Sequence, residues 1–282
     1  MKTIQTLNHY AVAELSVVII TRNEEHNIHD CIHSALLLSN DVVVVDSGST
    51  DNTIRLATIA GARVIKQEWK GYGYARNLGA SMAKNDWIIS LDADERITPL
   101  LAGNIKKARL ERNRIYRFKR ENFLGLHKIN FGTAGFDKVI RIYHRNETSW
   151  DLTVVHEKLI GDCKITKIDG TLQHFSMKDI YDYREKSILY ARLSAQKYFT
   201  QGRRAGFIKR FVSPSFNAIK SYIFQLGFLD GRTGFQLCRA IAHYTWLKYE
   251  FLYQLELQGQ RQLPQAATYQ LPARATKAVV AK

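Results

Sequence analysis

Four short apolar runs, separated by stretches of helical spacing, set the architecture open to this chain. Leu15–Ile20, Val42–Val45, Ala62–Lys66 and Trp87–Leu91 are compact and rich in aliphatic residues, which predicts buried strands. Between them lie Glu24–Leu38, with Ile28, Cys31, Ile32 and Ala35 on one helical face, then Asp51–Ala60, closed by Gly61, and Ala75–Ala83. Strands alternating with helices predict an α/β fold with a mostly parallel, Rossmann-like sheet and helices on both faces. Such sheets bind ligands beyond the carboxyl ends of their strands. Three of the runs end in polar clusters: Thr21-Arg22-Asn23-Glu24, Asp46-Ser47-Gly48-Ser49-Thr50-Asp51 and Asp92-Ala93-Asp94. One shared rim is expected for all three.

Asp92 and Asp94 carry the sharpest chemical signal. Residues i and i+2 of a strand point the same way, so both carboxylates are expected to converge on one ion. Hard oxygen donors of this kind suit Mg²⁺ or Mn²⁺ shared with substrate phosphates. The competing reading is a polar turn that ends a strand. Dinucleotide chemistry is not indicated: Thr21-Arg22-Asn23-Glu24 stands where a Gly-x-Gly-x-x-Gly would follow the first strand, Gly71-Tyr72-Gly73 comes too late, and no P-loop is present.

Further along, Thr98 and Pro99 open a helix expected over 98–113. Ile115–Lys119, Val139–Tyr143 and Lys164–Ile168 read as additional strands, and residues 178–257 read as helical. Residues 1–13 and 258–282 read as tails, the latter mobile. The net charge of +15 is unevenly placed: residues 184–282 carry 16 Lys and Arg against 4 Asp and Glu, residues 1–183 carry 25 against 22. A basic segment implies a polyanionic partner: nucleic acid, anionic lipid or a phosphorylated glycolipid. Within it, Phe207, Ile208, Phe211, Val212, Ile219, Tyr222, Ile223 and Leu226 recur near helical spacing among Arg203, Arg204, Lys209, Arg210 and Lys220, with Pro214 expected to break or kink the helix. That pattern fits a helix lying in a membrane interface; it also fits a docked helix with a solvated basic face. No apolar run reaches the ~18 residues of a spanning helix. The 45% hydrophobic content excludes wholesale disorder, and three widely spaced cysteines fit a reducing compartment.

Val18-Ile19-Ile20-Thr21-Arg22-Asn23-Glu24, Val45-Asp46-Ser47-Gly48-Ser49-Thr50-Asp51, Ala75-Arg76-Asn77-Leu78-Gly79 and Leu91-Asp92-Ala93-Asp94-Glu95 resemble, in order and spacing, the inverting glycosyltransferases of family 2, with the GT-A fold. Later blocks, Val154-Val155-His156-Glu157-Lys158-Leu159, His174-Phe175-Ser176 and Gly227-Phe228-Leu229-Asp230-Gly231, resemble the branch holding lipopolysaccharide inner-core β-1,4-glucosyltransferases. The resemblance implies a catalytic domain over 14–177 and a basic helical region over 178–257. It implies a UDP-sugar donor held by Thr21, Asn23, Glu24, Asp46, Ser47, Asp51, Arg76 and Asp92, and Mn²⁺ or Mg²⁺ on Asp94 and Asp92, with His174 a candidate third ligand. Glu157 is the implied general base for the acceptor hydroxyl, with His156 and Trp150 as candidate donor or acceptor contacts. Asp51 has a second reading as a helix cap, Arg76 as a surface cation, and Trp150 and Trp69 as core. Ser47 departs from the family, many of whose members carry Asp there. The Gln-x-x-Arg-Trp block of processive synthases is absent, which favours transfer of one sugar. The implied partners are a lipid-anchored glycan acceptor and an anionic membrane surface met by the basic helices, at the cytoplasmic face; nucleic acid is the least favoured partner, and the oligomeric state is open.

Overall fold

The computed structural model describes residues 14–135, 137–152 and 157–262. The sequence alternation becomes β1 (Leu15–Thr21), α1 (Ile28–Leu36), β2 (Val42–Asp46), α2 (Thr53–Ile59), β3 (Arg63–Lys66), α3 (Tyr72–Met82) and β4 (Trp87–Asp92). The strands pair in parallel in the order β3-β2-β1-β4. Every residue of β1 and β2 is buried, because helices cover both faces and no position of the pleat meets water.

Side-chain alternation sorts these strands into two cores. Val17, Ile19, Val42 and Val44 pack with Ile28, Ile32 and Ala35 of α1 on one face. Val18, Ile20, Val43 and Val45 pack with Ala75 and Ala80 of α3 on the other. Each fully buried aliphatic side chain contributes about 1.5–3 kcal/mol relative to exposure. Gly79 lets α3 lie close on the sheet, since a Cβ there would collide with Val18 and Val45. Gly61 closes α2 with φ +89°, the left-handed stop that glycine adopts without a Cβ penalty.

The sheet then turns mixed. After β5 (Glu95–Ile97) and α4 (Pro99–Lys107) come β6 (Arg114–Leu124), β7 (His127–Lys128), α5 (Gly132–Gly135), β8 (Asp137–His144), a small hairpin of β9 (Ser149–Trp150) and β10 (Leu159–Ile160), and β11 (Lys164–Met177). The full order is β3-β2-β1-β4-β8-β6-β11-β5. Thr98 caps α4 by accepting from Leu101 N–H, with Pro99 following. The helix stops at Lys107 rather than reaching 113, and a turn closed by Arg114 N–H on Glu111 O starts β6. β6 and β11 outrun the expected Ile115–Lys119 and Lys164–Ile168 because they pair in parallel along their lengths, Lys164 against Arg114 through Met177 against Leu124.

The remaining α-helices are α6 (Ile180–Thr200), α7 (Ser213–Ile219) and α8 (Gly231–Gln262). The described residues divide into two compact units, one within 14–183 together with 219–239, the other of 184–218 and 240–262. The expected tail boundary at 258 lies inside α8. Pro214 does not interrupt the helical path; it sits second in α7, after a wide turn over Ile208–Val212 with i→i+5 bonding. A widened turn absorbs the hydrogen bond that proline cannot donate.

One structural prediction follows from the strand edge. Asp41 accepts from Ser16 Oγ at 2.6 Å, Lys84 N–H at 2.8 Å and Arg63 Nη2 at 2.8 Å. Burial by itself would raise its pKa, but these donors hold the carboxyl below its ordinary value. A depressed carboxylate stabilises the fold above its unfolded pKa, and that contribution disappears as pH falls through the folded value. Asp41→Ala is therefore expected to cost about 2 kcal/mol in urea denaturation at neutral pH, with the gap to wild type closing as the pH is lowered below about 4. A gap independent of pH would contradict the assignment.

Candidate functional site

The parallel register sets the rim. Thr21 lies opposite Asp46, and Ile20 opposite Asp92, so the polar clusters after β1, β2 and β4 leave the sheet at neighbouring carboxyl ends. Thr21 and Ser47 are buried there, and Ser47 N–H bonds Thr21 O at 2.9 Å. Thr21 Oγ1 is buried with no protein partner. Asn23 adopts φ +55°, with its Oδ1 accepting from Thr50 N–H at 2.8 Å. Glu24 takes Asn27 Nδ2 at 2.8 Å. Asp46 accepts from Gly48 and Ser49 N–H, and Asp51 from Thr53 N–H, Thr53 Oγ1 and Glu25 N–H. Asp46 and Asp51 thus each brace a loop; Asp51 bonds Thr53, the first residue of α2, but the N-cap position is Asn52 rather than Asp51.

At β4 the geometry departs from the sequence argument. The strand ends at Asp92, and Ala93-Asp94 is a turn. The two carboxylates therefore do not share a strand face, and they take different partners. Asp92 Oδ1 accepts from Arg76 Nη2 at 2.5 Å and Oδ2 from Arg141 Nη2 at 2.7 Å. Burial would raise its pKa, but the two guanidiniums hold the carboxyl well below the usual range. Asp94 instead faces His174 of β11, Oδ2 to Nε2 at 3.4 Å. Two pairings put them together: His174 lies opposite Glu95 in the β11–β5 ladder, and Phe175 N–H donates to Asp94 O at 2.8 Å. His174 Nδ1 meets Asn122 Oδ1 at 2.6 Å, which assigns the proton to Nδ1 and leaves Nε2 facing Asp94. Burial by itself lowers the His174 pKa, but the Asp94 carboxylate raises it above the ordinary value.

Arg76 is a buried hub rather than a surface cation. It is 2% exposed, and its donors reach Ser90 Oγ at 2.6 Å, Asp92 and Glu157 Oε1, the last at 3.2 Å. Its guanidinium lies 4.8 Å over the Trp150 ring. Trp150 is itself 6% exposed and edge-on to Tyr143, so its ring is occupied by packing, in keeping with the core reading. Trp69 is exposed and edge-on to Tyr72. His156 lies outside the described residues.

Several members of the cluster carry no motif of their own. Arg141 joins Asp92 to the fully buried Glu95, and Arg120 joins Glu95 to Asp137. Burial lowers the Arg141 pKa and the facing Glu95 and Asp92 raise it, with a net upward shift. Glu95 follows the Asp92-Ala93-Asp94 block directly, which was a usable signal; Arg141, Arg120 and Asn122 sit on β6 and β8 with nothing in their spacing to single them out.

Asp94 Oδ1 is buried and has no hydrogen-bond partner, while both oxygens of Asp92 are engaged. Among the described residues no group of three or more His, Cys, Asp and Glu side chains gathers to hold an ion. Asp94 and His174 offer two donors, which fits an ion that keeps waters and takes its other ligands from substrate phosphates.

Residues 16–123 match the sequence model described as Glycosyl transferase family 2. Over most of its length the chain is similar to an uncharacterized glycosyltransferase of Rickettsia typhi, 27% identical over 259 residues, covering 87% of this chain and 89% of that protein. It is likewise similar to the lipopolysaccharide core biosynthesis glycosyltransferase LpsC of Rhizobium meliloti, 27% identical over 253 residues, covering 85% and 92%. Among solved structures, glucosyl-3-phosphoglycerate synthase from Mycobacterium tuberculosis, in complex with Mn²⁺, UDP and phosphoglyceric acid, is 26% identical over 39% of this chain and 43% of that one, with a TM-score of 0.32. The chain spans less than half of that synthase.

Proposed function

We propose, for a chain that carries a glycosyltransferase family 2 domain over residues 16–123, that it transfers a single sugar from a UDP-sugar to a lipid-anchored glycan with inversion at the anomeric carbon. The reading extends to glucose as the sugar and an inner-core heptose of lipopolysaccharide as the acceptor, at the cytoplasmic face of the membrane. Similarity to a lipopolysaccharide core enzyme supports the acceptor class. No helix among the described residues is long and apolar enough to cross a membrane.

The observation that carries the proposal is the bridge made by Arg76. Its guanidinium joins Asp92, at the end of β4, to Glu157, 81 positions away from Arg76 in sequence. Glu157, the base in this reading, is thereby held beside Asp92 and the rim where a nucleotide diphosphate would lie. In this reading Thr21, Asn23, Glu24, Asp46, Ser47 and Asp51 form the nucleotide wall. The loops braced by Asp51 and by the buried Asp46 would offer backbone groups to uracil and ribose. Arg76 fixes the positions of Asp92 and Glu157. Arg141 and Arg120 help keep Asp92 ionised, because their charge offsets the cost of burying that carboxylate.

Asp94 and His174 would hold the Mg²⁺ or Mn²⁺ ion, with Asp92 close by. When bound, that ion supplies Lewis-acid neutralisation of the departing diphosphate. Glu157 takes the proton from the acceptor hydroxyl, whose oxygen forms the new glycosidic bond as the bond to the UDP oxygen breaks. One base suffices for a direct displacement, and it must lie opposite the leaving group. His156, next to Glu157 in sequence, is assigned to orienting the base or touching the donor.

The test is a donor screen that reads UDP release and glycan product with a truncated lipopolysaccharide acceptor. Turnover with UDP-glucose, lost on chelation and restored by Mn²⁺ or Mg²⁺, is the expected result. Turnover indifferent to chelation would remove the ion from the mechanism. Turnover only with another donor or acceptor would assign the chain to a different envelope glycan. No turnover with any UDP-sugar would overturn the reading.

A further inference from the structure

We propose that the helical face from Phe207 to Phe216, in the second unit, is a docking surface for an anionic lipid bilayer. The inference builds on the reading of a lipid-anchored acceptor by naming the surface that meets the lipid. Its physical case comes from the exposed residues themselves.

Phe207, Ile208 and Phe216 are 73%, 69% and 58% exposed, and Phe211 and Val212 about half exposed. Soluble monomers seldom leave so many contiguous large apolar side chains in water, and patches of this kind mark interaction sites. The unit's interior has little room for them, since its buried core consists of Ala195, Ala205 and Leu252 edged by tyrosines and Phe251. The wide turn at Ile208–Val212 bears on the arrangement. In a regular α-helix a four-residue repeat drifts by about 40° per step. An i→i+5 turn takes more residues per revolution and offsets that drift. Ile208, Val212 and Phe216 follow one another at intervals of four across that turn, all exposed. Phe207 touches Phe211, with ring centroids 4.9 Å apart.

Charge selects the occupant. No Asp or Glu occurs between Glu185 and Asp230, while that interval holds eight Lys and Arg. Arg210 is turned inward, paired with Glu250 at 2.7 Å and set 3.8 Å over Tyr253. Arg203 is exposed but its guanidinium lies 4.6 Å over the Tyr198 ring; Arg204 and Lys209 are exposed and add positive charge beside the apolar side chains. An interfacial helix has this combination, with apolar side chains entering the acyl boundary and cations meeting anionic headgroups. A second copy of the chain would bring like charges together. A single-stranded nucleic acid needs open aromatic faces for stacking, whereas Phe207 and Phe211 lean on each other.

The experiment is co-sedimentation of the full chain with vesicles of phosphatidylcholine alone or mixed with phosphatidylglycerol. Binding to the mixed vesicles, weak on the neutral ones and reduced by salt, is expected. Phe207→Ser with Phe211→Ser should lower partitioning about tenfold or more, with an unchanged melting temperature because both side chains are exposed. Arg204→Ser with Lys209→Ser should lower partitioning about tenfold on the anionic vesicles and flatten its salt dependence. Equal binding to both vesicle types, wild-type partitioning by the phenylalanine variant, or no vesicle binding would overturn the proposal. So would a concentration-dependent dimer, or capture of an oligonucleotide, abolished by the same variant in the absence of vesicle binding. UDP release on a soluble acceptor fragment, followed in parallel, separates the two readings. Vesicle binding without turnover overturns the catalytic reading alone, and turnover without vesicle binding overturns this one alone.

Discussion

Glu157→Gln is expected to reduce sugar transfer by about 10²–10⁴-fold while UDP still binds. The amide keeps the side chain's shape, and its carbonyl oxygen can still accept from Arg76 Nε, which now lies 3.2 Å from Oε1. What is lost is the ability to take the acceptor's proton. Asp94→Ala should behave differently. It removes the buried oxygen that lacks a protein partner and leaves His174 Nε2 without its carboxylate. Metal affinity should fall together with UDP affinity measured in the presence of the ion, and transfer should be lost. Calorimetric titration of UDP with and without Mn²⁺, set beside initial rates, distinguishes the two variants. Transfer by Glu157→Gln at the wild-type rate would sink its role as base, and metal-dependent UDP binding unchanged in Asp94→Ala would remove it from the ion site.

Replacing Arg76 should disturb the fold itself. The side chain is almost wholly buried and serves Ser90, Asp92 and Glu157 at once. Arg76→Met fills similar space over Trp150 but strips a cation from two carboxylates. Removing one member of a buried ion pair costs about 3–5 kcal/mol, because the partner is left charged and unpaired. For a domain of this size that corresponds to a fall in Tm of about 10 °C. Lysine should not rescue it, since a single ammonium cannot reproduce the planar fork of a guanidinium. The pH dependence has a definite sign. Asp92 is held below its unfolded pKa, so the stability it brings is present near neutrality and fades as pH falls below about 4. Thermal melts of wild type and variant should therefore converge in acid. A Tm within about 2 °C of wild type at neutral pH would mean that Arg76 acts mainly by packing, worth under ~1 kcal/mol.

Much of the fold was legible because the parallel half of the sheet obeys local rules. Val42–Val45, short and wholly β-branched, favours a strand buried on both sides, and Gly61, Thr98 and Pro99 mark helix ends through local backbone chemistry. The strands of the mixed half were less legible: β6 and β11 run longer than their apolar spacing suggests, since parallel pairing between them fixes their ends. Helix α4 stops short of the expected 113 for a similar reason. Ala108 and Leu110 stay helix-compatible in sequence but pack against the core outside the helix.

The candidate site divides along the same line. Thr21, Asn23, Glu24, Asp46, Asp51, Asp92 and Asp94 stand out in sequence because each cluster directly follows an apolar run, and a parallel sheet carries such run-ends to one edge. Their partners do not stand out. His174 reaches Asp94 only through the antiparallel pairing of β11 with β5, and Asn122 reaches His174 only through the parallel pairing of β11 with β6. The sequence by itself therefore determined the alternating sheet, the rim and its acidic residues, since these depend on neighbours a few positions away. Only the tertiary structure decided that Asp92 is held by arginines while Asp94 keeps an open oxygen. The strand stops at Asp92, and long-range pairing supplies a different set of charges to each carboxylate.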